Sequence, residues 1–462
     1  MEAITLMPDG NRPLYEQLYR ALAAEISSGS VREGERMPSK RALAGELHLS
    51  LSTVETAYSM LAAEGYLCSR PRSGYFACAA EAPVLPAPEA PCPARKPAEK
   101  PKLLQFSTGA VDLQSFPYTA WARITRSVVC EDRSLLLRGE AQGDWALRAA
   151  LSRSLYEMRG VRCEPDQIII GAGIEYLLDL IVQLFGEDQI YGLENPGYFK
   201  TAEIMANHRS KVRLIEVDEQ GMNVSALTAS GAKAAYVTPS HQFPLGVTMP
   251  VGRRMQLLRW ADEQNGYLIE DDYDSEFRYE TRPIPALQGF DRSGRVLYLG
   301  TFSRSIAPSI RAAYLILPRR LLPACREKFR VYSSTVSRIE QQTLARFIDG
   351  GHFARHLRRM TLLYKKKREY LLRLLKTSAF GGRMTVRGEN AGLHFLLTLH
   401  LNLTETELIE RARAGGVLLH GISEYCTGPA SVPASTVILG YAGLSAEEME
   451  DGVSRLECAW TE

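Results

Sequence analysis

Between residues 171 and 311, chemically useful side chains fall where apolar runs end. GAGIEY (171–176) closes the run QIIIG and opens a helical pattern at about residue 173. A helix N-terminus presents N–H groups with no intrahelical partner, so Gly173, Ile174 and Glu175 form a candidate phosphate cradle. ENPGY (194–198) offers Tyr198 as a stacking partner for a ring. EDDYDSEFRY (270–279) puts Asp271 at a strand end, with Tyr273 two residues on and on the same side of the strand. A carboxylate there can hold a cationic ring nitrogen. GTFSRSIAPSIR (300–311) supplies Thr301, Ser303, Arg304 and Arg311, hydroxyls and guanidinium groups suited to an anion. A Gly-rich turn or a strand-end carboxylate is common by itself. Their order and spacing carry the reading.

A second set of polar side chains lies near the start of the chain. Ser50, Ser52 and Thr53 open a helical pattern, where short hydroxyls can meet base edges in a major groove. Arg36, Ser39, Lys40 and Arg41 precede and begin the helix before it and suit phosphate contacts. Arg70 and Arg72 flank a turn with Ser73 and Gly74.

The elements that must position these groups are legible in the hydrophobic period. Leu14, Leu18, Leu22 and Ile26 recur every four residues and predict one helix, ended by Gly29 and Gly34. A second helix follows Pro38, carrying Leu43, Ala44 and Leu47. A third is expected to begin at Ser52, with Ser52-Thr53-Val54-Glu55 as a capping box and Gly65 as its stop. YLCSRPRSGYFAC then alternates about a turn, as a β-hairpin does. Three short helices and a basic-tipped hairpin are the parts of a winged helix-turn-helix. A run with seven prolines, AAEAPVLPAPEAPCPARKPAEKP, follows. It has no hydrophobic period and reads as a linker. Beyond it, the apolar runs 167–171, 234–239, 266–273, 296–303 and 313–318 alternate with helical stretches, which predicts crossovers and a largely parallel sheet. The runs 392–399 and 436–441 suggest a smaller α/β subdomain. The expected division is 1–78, 79–102 and 103–462.

Bulk properties exclude several classes. The chain has 462 residues, 45% hydrophobic and 23% charged, and no apolar stretch long enough to span a bilayer. The N-terminus shows no signal-peptide pattern, so a cytoplasmic location is expected. None of the eight cysteines forms a C-x-x-C pair, and no metal-ligand spacing is present. Residues 1–78 carry eight Lys/Arg against nine Asp/Glu. Any DNA contact must therefore depend on where the charges sit and not on their sum.

PLYEQLYRALAAEI, GERMPSKRALAGEL, STVETAYSMLAAEGYL and SRPRSGYF together resemble the DNA-binding domain of GntR regulators, in the MocR branch, over nearly all of residues 12–76. That family typically has an arginine at the position of Leu51. The later motifs, with FSTGAVDLQSFPYTAW (106–121), GHFARHLRRM (351–360) and LGYAGLSAEEMEDGV (439–453), resemble fold-type I aminotransferases and the C-terminal domain of MocR regulators. The fold class implied is multidomain: an N-terminal winged helix-turn-helix plus a C-terminal α/β fold-type I aminotransferase-like domain. The resemblance implies a pyridoxal phosphate site built from Gly173, Ile174, Glu175, Tyr198, Asp271, Tyr273, Thr301, Ser303, Arg304 and Arg311. It implies a double-stranded DNA operator read by Arg36, Ser39, Lys40, Arg41, Ser50, Ser52, Thr53, Arg70, Arg72, Ser73 and Gly74. It also implies a head-to-tail homodimer, an amine or amino-acid effector, and no physiological transamination.

One departure matters most. Where the family motif reads T-F-S-K, this chain reads T-F-S-R, so Arg304 stands at the position of the Schiff-base lysine. A guanidinium keeps its proton and cannot supply a free amine. Three explanations remain open: an introduced substitution that arrests chemistry; a divergent regulator holding the cofactor, or an adduct of it, without a covalent bond; or loss of the cofactor, with Arg304 binding another anion. The alternative function, an active aminotransferase, is disfavoured by the same residue. The nearest lysines in sequence are Lys233 and Lys328, in other elements. Many members also carry an arginine for the substrate carboxylate near the position of Ile438, which is apolar here. His241 and Gln242 lie in a turn of the cleft, where His241 could polarise the ring oxygen or serve as a structural hydrogen-bonding residue. RHLRR (355–359) and KKKR (365–368) read as the solvated face of a half-buried helix.

Overall fold

The computed structural model describes residues 6, 12–78, 103–280, 284–426 and 435–461. The chain divides into two compact units, Met1–Lys100 and Pro101–Glu462. The Pro-rich run 79–102, read above as a linker, lies outside the described residues.

In the first unit the four-residue apolar stripe forms the helix Leu14–Ser27, with Leu18, Leu22 and Ile26 buried. Gly29 follows at φ +80°, where a residue without Cβ is unstrained. The helix Lys40–Glu46 is capped by Ser39, whose hydroxyl accepts from the Ala42 N–H. The next helix, Leu51–Ala63, buries Val54, Ala57, Tyr58 and Leu61. Its cap corrects the expectation above: Ser50, not Ser52, accepts the Thr53 N–H, and Ser52 lies inside the first turn. The Ser52–Glu55 capping box does not form. Either serine could cap in isolation. Burial of Val54 and Tyr58 sets the rotational phase and so the starting residue. The hydroxyl of fully buried Tyr58 donates to the Pro38 carbonyl at 2.9 Å, tying this helix to the turn before its neighbour. Leu67–Arg70 and Gly74–Ala77 pair antiparallel as the expected hairpin.

The second unit is built on an eight-stranded sheet. Its order is Ile168–Gly171, Ala313–Ile316, Val296–Thr301, Tyr267–Asp272, Ala234–Val237, Ile190–Asn195, Lys211–Asp218, Gly221–Met222. The pairings from Val296–Thr301 through Lys211–Asp218 are parallel, as the crossover pattern predicts. Ala313–Ile316 runs antiparallel to both neighbours. Ile190–Asn195 and Lys211–Asp218 are not among the runs picked from sequence. Lys211–Asp218 is mostly exposed or half-exposed, so its apolar pattern is weak. Four further strands, Met384–Arg387, His394–Leu399, Thr436–Gly440 and His420–Gly421, make an antiparallel sheet, the expected smaller subdomain.

The basic runs fall on the 26-residue helix His352–Thr377, which buries Leu357, Met360 and Tyr364. Several of their charges have internal partners: Lys367 pairs with Asp112 at 2.6 Å, and Arg368 donates to the Glu389 carbonyl at 3.0 Å. No described helix is long and apolar enough to cross a membrane.

Candidate functional site

Parallel strands leave their C-terminal ends open along one edge, and ligands of α/β sheets collect there. Here that edge opens on a cavity of about 430 Å³. Strand ends and the turns after them supply its wall: Gly173, Ile174 and Glu175, then Tyr198, Thr238, Asp271, Tyr273, Thr301, Ser303, Arg304 and Arg311. All ten residues singled out for a cofactor thus line one cavity.

At one end, Gly173 caps the twelve-residue helix Ile174–Phe185 with φ +99°. A Cβ there would lie 2.9 Å from both Arg311 Nη2 and Glu175 Oε2, so glycine keeps the cradle open. Arg311 also takes a left-handed backbone, φ +48°, and donates to the Ala172 carbonyl at 3.1 Å. The Glu175 carboxylate is 3.7 Å from Arg311 and 3.8 Å from Lys200. It therefore offsets part of the positive charge at this end of the cavity. Thr301 and Ser303 are tied by a 3.0 Å hydroxyl–hydroxyl bond in the turn after their strand.

Asp271 and Asp272 show how strand alternation divides two adjacent carboxyls. Asp272 faces the core, where burial opposes its charge. The Arg159 guanidinium, at 2.8 Å, and the Tyr298 hydroxyl, at 2.6 Å, override that cost and hold its pKa low. Asp271 faces the cavity. The Tyr236 hydroxyl donates to its Oδ2, and its buried Oδ1 has no protein partner. Burial pushes its carboxyl up to about 7. A buried carboxylate oxygen without a donor is costly, and a cationic N–H in the cavity would remove the cost.

Tyr198, Phe243, Tyr273 and Tyr425 make an aromatic wall, with Phe243 edge-on to Tyr425 at 4.9 Å and to Tyr198 at 6.1 Å. Tyr273 is held from behind: its hydroxyl donates to the His241 carbonyl at 2.9 Å and lies 3.0 Å from His241 Nδ1, which also meets Asp274. His241 itself is buried and does not line the cavity. Gln242 is likewise structural, donating to the carbonyls of Pro196 and Phe243.

Arg304 lines the cavity and donates from Nη1 to the Thr108 carbonyl. Sequence reasoning missed the Ser107–Gly109 segment, Lys200, Thr238, Phe243 and Tyr425. Lys200, farther from residue 304 in sequence than Lys233 or Lys328, nevertheless lines the cavity; it stands two residues beyond Tyr198 and was within reach of the ENPGY motif. Ser107–Gly109, the start of the FSTGAVDLQSFPYTAW run, sits next to Arg304 across 196 residues of chain, a contact that its local pattern does not show. Ile438 is fully buried against Leu396 and Ile422 and does not line the cavity.

In the first unit the hydroxyls at the start of the helix Leu51–Ala63 bond one another: Ser50 Oγ lies 2.9 Å from Ser52 and 2.7 Å from Thr53. Lys40 is 3.6 Å from Glu55 and lies over the Tyr75 ring, so part of its charge is already engaged. Arg70 lies over the Phe76 ring at 4.5 Å, and Arg36 flanks the hairpin tip beside Gly74. Arg41 and Arg72 are exposed, and Arg72 turns the tip with φ +60°. Leu51, 41% exposed, projects from the first turn of the helix.

The pattern of the family described as "Bacterial regulatory proteins, gntR family" matches residues 14–76. The HTH-type transcriptional regulator YdeL of Bacillus subtilis (strain 168), itself described as uncharacterized, is 41% identical over 97% of this chain and 97% of its own length. The probable rhizopine catabolism regulatory protein MocR of Rhizobium meliloti is 32% identical over 99% of this chain and 96% of its own. Among solved structures, the multiple substrate aminotransferase of Thermococcus profundus superposes with a TM-score of 0.69 at 25% identity, over 78% of this chain and 92% of that one.

Proposed function

The chain belongs to the MocR-type GntR regulators, DNA-binding transcription regulators that carry an aminotransferase-like domain, and on that premise we propose that its second unit senses a pyridoxal phosphate-type ligand without a lysine Schiff base. One observation carries the reading: a buried carboxylate with an unpartnered oxygen, Asp271 Oδ1, shares a cavity with a helix N-terminus held open by Gly173. Those two features match a ring N–H and a phosphate on one molecule. The bound cofactor would bring an electron-withdrawing ring and an aldehyde carbon.

The chain's own residues would then divide the work. The N–H groups of Ile174 and Glu175, the Thr301 and Ser303 hydroxyls and Arg311 bind the phosphate, displacing the Glu175 carboxylate from Arg311. Asp271 holds the ring nitrogen's proton. Tyr198 covers the ring face, and Tyr273, steadied by His241, reaches the ring edge. Arg304 supplies no amine, so no covalent link forms at that position and transamination has no lysine to return through. The unit is therefore a receptor and not an enzyme.

The DNA residues proposed are Arg36, Ser39, Lys40, Arg41, Ser50, Ser52, Thr53, Arg70, Arg72, Ser73 and Gly74, with operator phosphates met by the exposed arginines. A homodimer is supported by Leu136 and Leu137, 79% and 69% exposed, an apolar pair that a second copy would cover. Ligand occupancy changes how the two DNA-binding heads hold their sites.

The test is to select DNA sites from a random pool with the full chain, then footprint them with and without pyridoxal phosphate. A changed footprint or affinity is expected; identical ones refute ligand control. Borohydride treatment with peptide mapping checks the non-covalent claim. An adduct on Lys200 would overturn it.

A further inference from the structure

Arg304 differs from Arg159, Arg338 and Arg311, each of which has a carboxylate partner. Arg159 is matched by Asp272 at 2.8 Å, and Arg338 by Asp144 at 3.1 Å. Arg311, in the same cavity, has Glu175 at 3.7 Å. Arg304 is half-buried, its one protein hydrogen bond goes to the Thr108 carbonyl, and no carboxylate of the described residues lies within ion-pair distance. Its remaining N–H groups belong to a cavity wall, and a forked guanidinium fits a carboxylate through two parallel bonds. The cavity thus has two cationic places. One, at the Gly173 cradle, is already part-neutralised by Glu175. The other, at Arg304, has no direct ion-pair partner among the described residues, only the more distant charge of Asp271 in the same cavity.

From this charge arrangement we infer that Arg304 is a carboxylate-binding, specificity-determining residue, so that the cavity takes a ligand with a phosphate at one end and a carboxylate at the other: a phosphopyridoxyl–amino acid adduct captured ready-made. This rests on the cofactor reading above. It adds that the substitution at residue 304 exchanges a bond-forming amine for an anion receptor. The condensation of aldehyde with amine, in which the carbonyl oxygen leaves as water, takes place in solution before binding. The protein selects its product.

Three probes separate the possibilities in calorimetric titrations of the full chain: pyridoxamine 5′-phosphate, N-(5′-phosphopyridoxyl)-L-alanine, and N-(5′-phosphopyridoxyl)ethylamine, which lacks only the carboxylate. The alanine adduct should bind about ten- to a hundredfold more tightly than the ethylamine adduct, the worth of a charge-assisted pair in a sheltered site. In Arg304→Gln that gap should fall to about threefold or less, with an unchanged melting transition as the folding control. Arg304→Lys, which keeps the charge but loses the fork, should give an intermediate gap. Equal affinity of the two adducts for the native chain, or a gap that survives in Arg304→Gln, overturns the inference while leaving the cofactor reading intact. Failure of all three probes to bind the native chain overturns the cofactor reading, and this inference with it.

Discussion

Replacing Asp271 by asparagine should change the pH dependence of stability in a calculable way. In the ligand-free fold, burial raises the Asp271 carboxyl to about 7, Asp272 and Asp274 add to the effect, and Tyr236 and Arg304 oppose it. In the unfolded chain the same group titrates near 4. A carboxyl raised by folding favours the fold while protonated and loses that advantage as pH climbs from about 4 to about 7. For these two values, the ionisable group costs the fold about 1.5 kcal/mol at pH 5 and about 4 kcal/mol at pH 8, relative to an unshifted carboxyl. Asparagine keeps an oxygen for the Tyr236 hydroxyl but has no proton to lose. Its buried N–H₂ carries a penalty that is the same at both pH values and cancels. The stability difference, variant minus native, should therefore move by about 2.5 kcal/mol in the variant's favour between pH 5 and pH 8. Glu270 and Glu276, also raised by burial, are common to both proteins and cancel as well. Glu194 is raised partly by the Asp271 charge, so the variant relieves it and the difference moves further in the same direction. Urea titrations of the ligand-free full chain, following the transition of the larger unit at the two pH values, measure this shift. A difference that stays constant within about 0.5 kcal/mol would refute the claim that this carboxyl is held in a strained, ligand-awaiting state. The same variant should lose ligand affinity, because with its oxygen kept for Tyr236 the uncharged N–H₂ it turns to the ring cannot accept the N–H that the carboxylate accepts.

Two other substitutions test the ends of the argument. Gly173→Ala puts a Cβ on a residue at φ +99°, 2.9 Å from Arg311 Nη2; it should cost about 1–2 kcal/mol of stability and weaken pyridoxal phosphate binding at least about tenfold by calorimetry. Unchanged affinity would remove the cradle from the site. Leu51→Arg places a cation at an exposed first-turn position of the recognition helix. It should shift base preference at one position by about 1–3 kcal/mol and steepen the salt dependence of operator binding, both read by competition binding across salt concentrations; an unchanged preferred sequence and slope would exclude Leu51 from the DNA interface.

Much of this protein was determined by local sequence. The four-residue stripe Leu18–Leu22–Ile26 and the alternation about Arg72-Ser73-Gly74 specify helix and hairpin without outside help, because each period suits one backbone geometry. The crossover pattern implied parallel strands, parallel strands imply an open C-terminal edge, and so Gly173, Asp271 and Thr301 could be assigned to one cleft from their positions at strand ends. The identity of residue 304 was also legible at once, since an arginine cannot do a lysine's chemistry whatever surrounds it. Other properties needed distant partners. Asp271 and Asp272 are equivalent in sequence, yet one is ionised by Arg159, 113 residues away from Asp272, and the other is held near neutrality by burial. Ser50 rather than Ser52 caps the recognition helix because the packing of Tyr58 and Val54 sets where that helix begins. Thr108, Lys200 and Tyr425 join the site from a turn, the helix Phe199–Asn207 and the short helix Ile422–Tyr425, far apart in the chain. Local periodicity carries the backbone's preferences. Charge state, cap choice and the company Arg304 keeps depend on desolvation and on contacts between residues far apart in the chain, which only the folded structure brings together.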